Sequence, residues 1–368
     1  MPDSLLHQIA ITKIPKVGAM TAKNLISYCG GSAKVFDADK KTLLKVPGVG
    51  ESIAQYILDQ NVLGEAEKEV DFIHKNNIKP LFYTDKNYPA RLRKLNDCPL
   101  MLFYKGTANL NNARIVGIVG TRKPTHQGIS VCEEIVEGLR PYNVIILSGL
   151  AYGIDVTAHK TALATGQDTI GVLGHGLDTI YPAAHRKVSK EMILQGGLLT
   201  EFTSKSRPDK EHFPMRNRIV AGLCDALVVV ETAERGGSMI TAIRAAQYNK
   251  QIFAVPGRIR DKLSIGCNQL IKQNKATLLE SAEELAYTMH WQLAAEEGEM
   301  ISKQTQLFQE LTEPEKKIID LLSQEDENQF DIVLRQTVMS SGELSAILLG
   351  LEFQGLVKSL PGKRFALA

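Results

Sequence analysis

From about residue 110 the chain sets short, continuous apolar runs against amphipathic stretches of helix length. Ile115–Val119, Val144–Leu147, Thr169–Leu173, Leu198–Glu201, Leu227–Val230 and Ile252–Val255 are each followed by glycine or a polar turn. Runs that are apolar at every position belong to strands buried on both faces, and their spacing predicts an α/β fold with a Rossmann-like, doubly wound parallel sheet. A ligand of such a sheet lies beyond the carboxyl ends of its strands.

The pattern differs at both ends of the chain. Ile14-Pro15-Lys16-Val17-Gly18, with Ala22 and Leu25, recurs as Val46-Pro47-Gly48-Val49-Gly50, with Ala54 and Ile57. A tight turn followed by glycines at a helix start exposes backbone N–H groups that suit a phosphate, and the unit resembles the helix-hairpin-helix motif. Its second copy is the better match, because Lys16 stands where the first glycine would be. A purely structural helical domain is an equally good account of the echo. After Ala276 an acidic, Gln-rich stretch, residues 294 to 315, leads to helical patterns at 314–322, 331–337 and 340–350. Short strands flank a turn at Pro361-Gly362, and the whole resembles a winged helix, a module that binds DNA or protein. The expected domains are 1–70 (helical, helix-hairpin-helix-like), 71–290 (Rossmann-like), 291–310 (linker) and 311–368 (winged helix).

Composition narrows the function. With 23% charged and 44% hydrophobic residues the 368-residue chain is ordinary globular material. Its longest apolar runs are strand-length, far below the roughly 18 residues of a membrane helix. The first residues lack the features of a secretory signal, which points to the cytoplasm and away from membranes. Cys29, Cys98, Cys132, Cys224 and Cys267 are scattered without a CxxC pair, so neither a disulfide framework nor a zinc site is expected. Net charge is +2 and the pI is near 8.1, so any nucleic-acid binding must come from local basic clusters.

The strand ends carry the candidate chemistry. Gly120-Thr121-Arg122 follows the first strand; without the third glycine of a dinucleotide fingerprint, it still offers N–H groups, a hydroxyl and a guanidinium to one phosphate. Ser148-Gly149 opens a small-residue turn after the second strand, where Asp155 reads as an N-cap. His159, four residues on, lacks further regularly spaced ligands, so no metal is expected. His175, Asp178 and His185, near the third strand end, read as turn-stabilising groups, since no nucleophile with a visible base accompanies them. The fourth strand leads into the densest basic segment. It is read as a hydrophilic loop with Lys205, Arg207 and Lys210, then His212-Phe213-Pro214-Met215-Arg216-Asn217-Arg218. Cations around a ring that can stack on an unpaired base are the equipment of single-strand binding. After the fifth strand, Gly236-Gly237 opens a helix whose Ser238 and Thr241 serve either an anion or ordinary capping.

Taken in order, GTRxxTxxG (120–128), SGLAYGIDxxAH (148–159), GxGLDxxYP (174–182), FPxRNR (213–218), GGSxxTA (236–242) and VPGxxxxxxxxGxNxLI (255–271) resemble the DNA-processing protein A family, DprA or Smf. The resemblance spans roughly residues 80 to 276. It implies a non-enzymatic protein of DNA uptake and natural transformation that binds and protects incoming single-stranded DNA, dimerises and helps load the RecA recombinase, without a cofactor. Carried over residue by residue, it places a phosphate turn on Gly120, Thr121 and Arg122 and a base-contacting segment on Lys210, Phe213, Arg216, Asn217 and Arg218. It also puts a dimer surface near Ile265, Leu270 and Ile271. Family members usually continue with glycine and alanine, where this chain has Asn274 and Lys275; asparagine also suits a left-handed helix cap.

Two other readings compete. Gly-Gly-Ser/Thr turns also occur in nucleotide hydrolases of the lysine-decarboxylase-like group, but Ile243 stands near the place of that group's catalytic glutamate. A protein-interaction scaffold whose core turns hold only a small anion is the second.

Overall fold

The computed structural model describes residues 5–112, 114–294, 312–323, 328–337, 339–353, 356–360 and 362–367. The linker expected at 291–310 falls mostly outside them, as does Pro361 of the expected C-terminal turn.

The six apolar runs all form strands, within two residues of their expected limits: β3 (Ile115–Val119), β4 (Ile145–Ser148), β5 (Thr169–Val172), β6 (Gly196–Thr200), β7 (Ala226–Val229) and β8 (Gln251–Ala254). Two earlier strands, β1 (Lys79–Phe82) and β2 (Met101–Gly106), and a short β9 (Thr277–Leu278) complete a nine-stranded sheet among the described residues. Its order is β1-β2-β6-β5-β4-β3-β7-β8-β9. From β6 to β9 every pairing is parallel, whereas β1–β2 and β2–β6 are antiparallel. The sheet is therefore mixed, mostly parallel, and not wholly parallel as the apolar runs alone implied.

The chain builds outward from β3 through β4 and β5 to β6, then returns to lay β7 on the other side of β3. That reversal makes the β3–β7 junction the switch point, where an open α/β sheet leaves a crevice beyond its carboxyl ends. Helices cover both faces because the central strands β3 to β7 are buried along their whole length. Ile115 and Val119 join a core with Ile219, Ala242 and Leu270, while Val116 and Ile118 face the opposite core with Cys132, Ile135 and Ile154.

Six helices precede the sheet, α1 (Leu5–Lys13), α2 (Ala19–Cys29), α3 (Ser32–Asp37), α4 (Lys40–Leu43), α5 (Glu51–Leu58) and α6 (Asn61–Lys75). The sequence echo is an echo in three dimensions. Gly18 and Gly50 are the N-caps of α2 and α5, and the preceding turns close alike, Val17 N–H to Ile14 O at 3.2 Å and Val49 N–H to Val46 O at 3.1 Å. Lys16 takes the left-handed conformation of its counterpart Gly48, with φ 63° against 85°. A side chain thus occupies a backbone position that favours glycine.

Residues 1–293 form one compact unit and 294–368 a second. In the second, helices Glu313–Leu322, Phe330–Thr337 and Ser341–Phe353 and strands Asn328–Gln329, Val357–Leu360 and Arg364–Leu367 surround Ile318, Leu322, Val333, Leu344, Leu348 and Leu351. This is a winged-helix arrangement. No described helix is long and apolar enough to cross a membrane.

Candidate nucleic-acid interface

A cleft of about 600 Å³ opens at the β3–β7 switch point. Gly120, Thr121, Arg122, Gly149, Lys210, Phe213, Asn217, Thr232, Gly236 and Ser238 line it, so the segments that follow four strands, β3, β4, β6 and β7, converge there. The turn after β3 is pinned from both sides. Thr121 N–H donates to Glu231 O at 2.7 Å, and Thr121 O accepts from Ile154 N–H at 3.2 Å, at the start of α9 (Ile154–Ala164). Gly120 is required by this approach: a Cβ there would lie 2.6 Å from Ile154 Cγ1.

Gly120–Arg122 does not itself start a helix. The next helix, α8 (His126–Leu139), begins four residues after Arg122, capped by Thr125 Oγ1 accepting from Gly128 N–H at 3.0 Å. The Glu231 carboxylate already holds its start, accepting from Thr125 N–H at 2.9 Å and Thr125 Oγ1 at 2.5 Å. The helix dipole there faces an internal anion. Exposed Arg122 is the group left to meet an external one.

The basic segment after β6 is also ordered differently from expectation. His212–Leu223 is a helix, α11, and not a loop, with Pro214 in the first turn where its missing N–H breaks no ladder bond. A helical turn brings Phe213, Arg216 and Asn217 to one side and turns Arg218 away. Lys210 is exposed, and the half-buried Phe213 ring stands in the cleft wall with the Arg122 guanidinium 5.5 Å from its centroid.

Arg216 and Arg218, expected to contact DNA, spend their donors inside the protein. Arg216 is 5% exposed; its Nη1 donates to Val172 O at 2.5 Å and to Gly149 O, and its Nε to Asn217 Oδ1 at 3.0 Å. Burial lowers its pKa, which nearby Asp155 opposes. Arg218 pairs with Glu201 and reaches Asp97 O, on the far side of the helix. Arg216 therefore lines the cleft from within, while Arg218 fixes α11 to Glu201 and Asp97 behind it.

Three further expectations are corrected by burial. Ser148 is fully buried with its hydroxyl donating to Ile118 O at 2.5 Å, so it is closed to an external phosphate. Asp155 is not the N-cap of α9, which is Gly153; its carboxylate instead accepts from Gly149 N–H at 3.2 Å and Ala151 N–H at 3.4 Å, tying the turn after β4. Burial raises its pKa, and Arg216 and those N–H groups work against the rise. Ser238 does not cap α12 (Gly237–Gln247), whose N-cap is Gly236; it donates to Thr232 Oγ1 at 2.7 Å, and Thr241 beside it is 2% exposed.

His175 and His185 do hold turns: His175 Nε2 accepts from Tyr181 N–H at 3.3 Å, and His185 Nδ1 bonds Leu150 O at 2.9 Å. Of the residues assigned to a dimer surface, Leu270 is a core residue at 2% exposure and Ile271 packs on that core, so only Ile265, at 38%, is open on α13 (Ile265–Lys272). Asn274 does adopt the left-handed cap, with φ 53°. Two rings beside the cleft, Tyr152 and Tyr181, escaped the sequence reading because each sits in a glycine-rich turn that was read for its backbone.

The fold and the site define a Rossmann-like α/β protein with an open, basic cleft at its switch point, preceded by paired helical hairpins and followed by a winged helix. Residues 79–290 match the model of the DNA recombination-mediator protein A family, 302–363 that of the DprA winged helix domain, and 9–60 that of the SAM-like helix-hairpin-helix tandem. The chain belongs to the DprA/Smf family. It is 37% identical over 258 residues to the DNA processing protein DprA of Streptococcus pneumoniae, covering 66% of this chain and 91% of that one. With the protein Smf of Synechocystis it shares 31% over 392 residues, 98% of each. The X-ray structure of the pneumococcal DprA superimposes with a TM-score of 0.64 at 32% identity, covering 79% of this chain and 99% of that one. A Helicobacter pylori DprA structure, described as giving insight into its single-stranded DNA binding mode, superimposes at 0.53 with 29% identity over 58% of this chain and 97% of that one.

Proposed function

We propose that this protein binds single-stranded DNA along the carboxyl edge of its sheet, with Arg122 and Lys210 neutralising phosphates and Phe213 stacking on a base. One observation carries the reading. Two exposed cations without a carboxylate partner among the described residues line the switch-point cleft together with an aromatic ring. The single-strand binding mode described for the Helicobacter relative supports it. In this reading the protein is a non-enzymatic mediator of DNA uptake in the cytoplasm. It pairs with a second copy through the surface around Ile265, protects the incoming strand and passes it to the RecA recombinase.

The test is a titration of single-stranded, duplex and RNA oligonucleotides by fluorescence anisotropy between about 50 and 200 mM salt. Single strands are expected to bind best, with log K falling as log salt rises. Arg122→Ala should reduce that slope by about 0.7, one phosphate, while Phe213→Ala should weaken binding by about 1–3 kcal/mol per stacked base and leave the slope unchanged. Salt-independent binding, or a preference for duplex, overturns the proposal.

A further inference from the structure

Beside the main cleft lies a recess of about 30 Å³ that shares Arg122, Gly149, Phe213 and Arg216 with it and adds Tyr152 and Tyr181. These rings are 49% and 51% exposed, and neither hydroxyl has a partner among the described residues. Their backbones are nevertheless fixed: Tyr181 N–H is held by His175, and the Tyr152 ring stands edge-on to His185 at 5.0 Å, itself bonded to Leu150 O. Rings that are anchored at the base and open at the face contribute little to the core. Tyr181 lies 6.2 Å from Phe213, tilted by 40°. The two rings therefore stand as neighbouring platforms and not as parallel jaws.

On the other side of the 177–182 turn is a hollow of about 280 Å³ lined by Lys105, Arg186 and Lys190, with Asp178 as its one lining carboxylate. None of the three cations is in an ion pair among the described residues. Cleft, rings and the hollow across the 177–182 turn thus follow one another as basic, aromatic and basic surface, as a polyanion with flat bases requires.

Building on the proposed single-strand function, we propose that the strand does not end at Phe213. It crosses Tyr181 and Tyr152, one base resting on each ring, and continues into the hollow, where Arg186 and Lys190 neutralise its following phosphates.

Anisotropy with oligothymidylates of increasing length, and with single abasic positions moved along one long oligonucleotide, tests this. The Tyr152→Ala/Tyr181→Ala double variant should bind long strands at least about 30-fold more weakly and become insensitive to the abasic positions that cover the rings, whereas Tyr→Phe at both sites should behave as wild type. Arg186→Gln with Lys190→Gln should lower the salt slope by about 1.4, two phosphates. Folded variants that match wild type in affinity, abasic profile and slope overturn the inference. If Arg122→Ala and Phe213→Ala weaken binding while these variants do not, this extension alone fails. If wild type shows no single-strand binding, the underlying function fails with it.

Discussion

At the scale of single residues, several polar groups of the motifs serve the fold from inside, and their protonation makes this measurable. His159 is fully buried, with Nδ1 2.7 Å from Thr169 Oγ1, whose one hydrogen goes to Ile146 O at 3.0 Å. Nδ1 must therefore carry the proton and Nε2 remains bare, without a partner. Burial pushes the pKa from 6.5 down to about 3, with lesser help from His185 and Arg216. Between these values the unfolded chain takes up a proton that the folded chain refuses. Stability is thus complete above pH 6.5 and falls as pH drops, by about 1.4 kcal/mol per pH unit from this group. His159→Asn keeps a donor for Thr169 and should flatten urea-midpoint profiles between pH 6.5 and 4 by that one proton. His175, whose pKa burial also lowers, should leave a residual slope of the same sign. An unchanged profile would show that His159 titrates normally. Arg216 and Arg122 make a second contrast. Arg216→Ala strands two carbonyls and leaves Asp155 unopposed, so the fold should lose about 3–5 kcal/mol. Arg122→Ala should leave denaturation untouched and weaken oligonucleotide binding alone. The motif letters marked both arginines as important, but only burial separates their roles, and burial is set by Gly149 and Val172, far away in the chain.

At the scale of elements, legibility follows how local the signal is. Strands β3 to β8 were readable because a strand buried on both faces writes its apolar run directly into consecutive residues. The segment at 212–218 was misread as a loop because its Pro214 and two arginines resemble a solvated turn, although proline is at home in a first helical turn. What holds the start of α8 was not legible for a different reason: Glu231, which anchors it, lies 106 residues from Thr125. No periodicity carries such a pairing. Gly128 belongs to the same joint, since a Cβ there would fall on the Glu231 carboxylate. Glu231→Gln keeps the shape and removes the charge at the helix start, so thermal unfolding should show a loss of about 1 kcal/mol. Gly128→Ala should cost more, because it expels the carboxylate altogether. Equal stability of Glu231→Gln and wild type in low salt would mean that the charge contributes nothing to the helix.

At the scale of the whole molecule, the order of domains was legible and the joint between the first two was not. The β1–β2 edge lies in residues 79–106, where the apolar run Leu100–Tyr104 went unread because it stands before the strand–helix alternation that begins near residue 110. It forms because Phe82, Met101 and Phe103 bury their side chains among Ile9, Ile11 and Ile73 of the helices. A second joint is polar. Glu69 of α6 is 4% exposed and accepts from Ser204 N–H at 2.8 and 3.0 Å and from Ser204 Oγ at 2.6 Å. Ser204 opens the segment that carries Lys205, Arg207 and Lys210 toward the cleft, and Ser206 O in turn accepts from Gly176 N–H at 3.1 Å. The helical hairpins thus hold the near end of the basic segment while α11 holds the far end. Glu69→Ala removes one anchor without touching a proposed DNA contact. Amide hydrogen exchange at Ser204 should accelerate, and single-strand affinity should fall several-fold because Lys210 must be ordered at the moment of binding. Faster exchange with unchanged affinity would mean that α11 alone positions Lys210; unchanged exchange would mean that the carboxylate does not hold the segment at all.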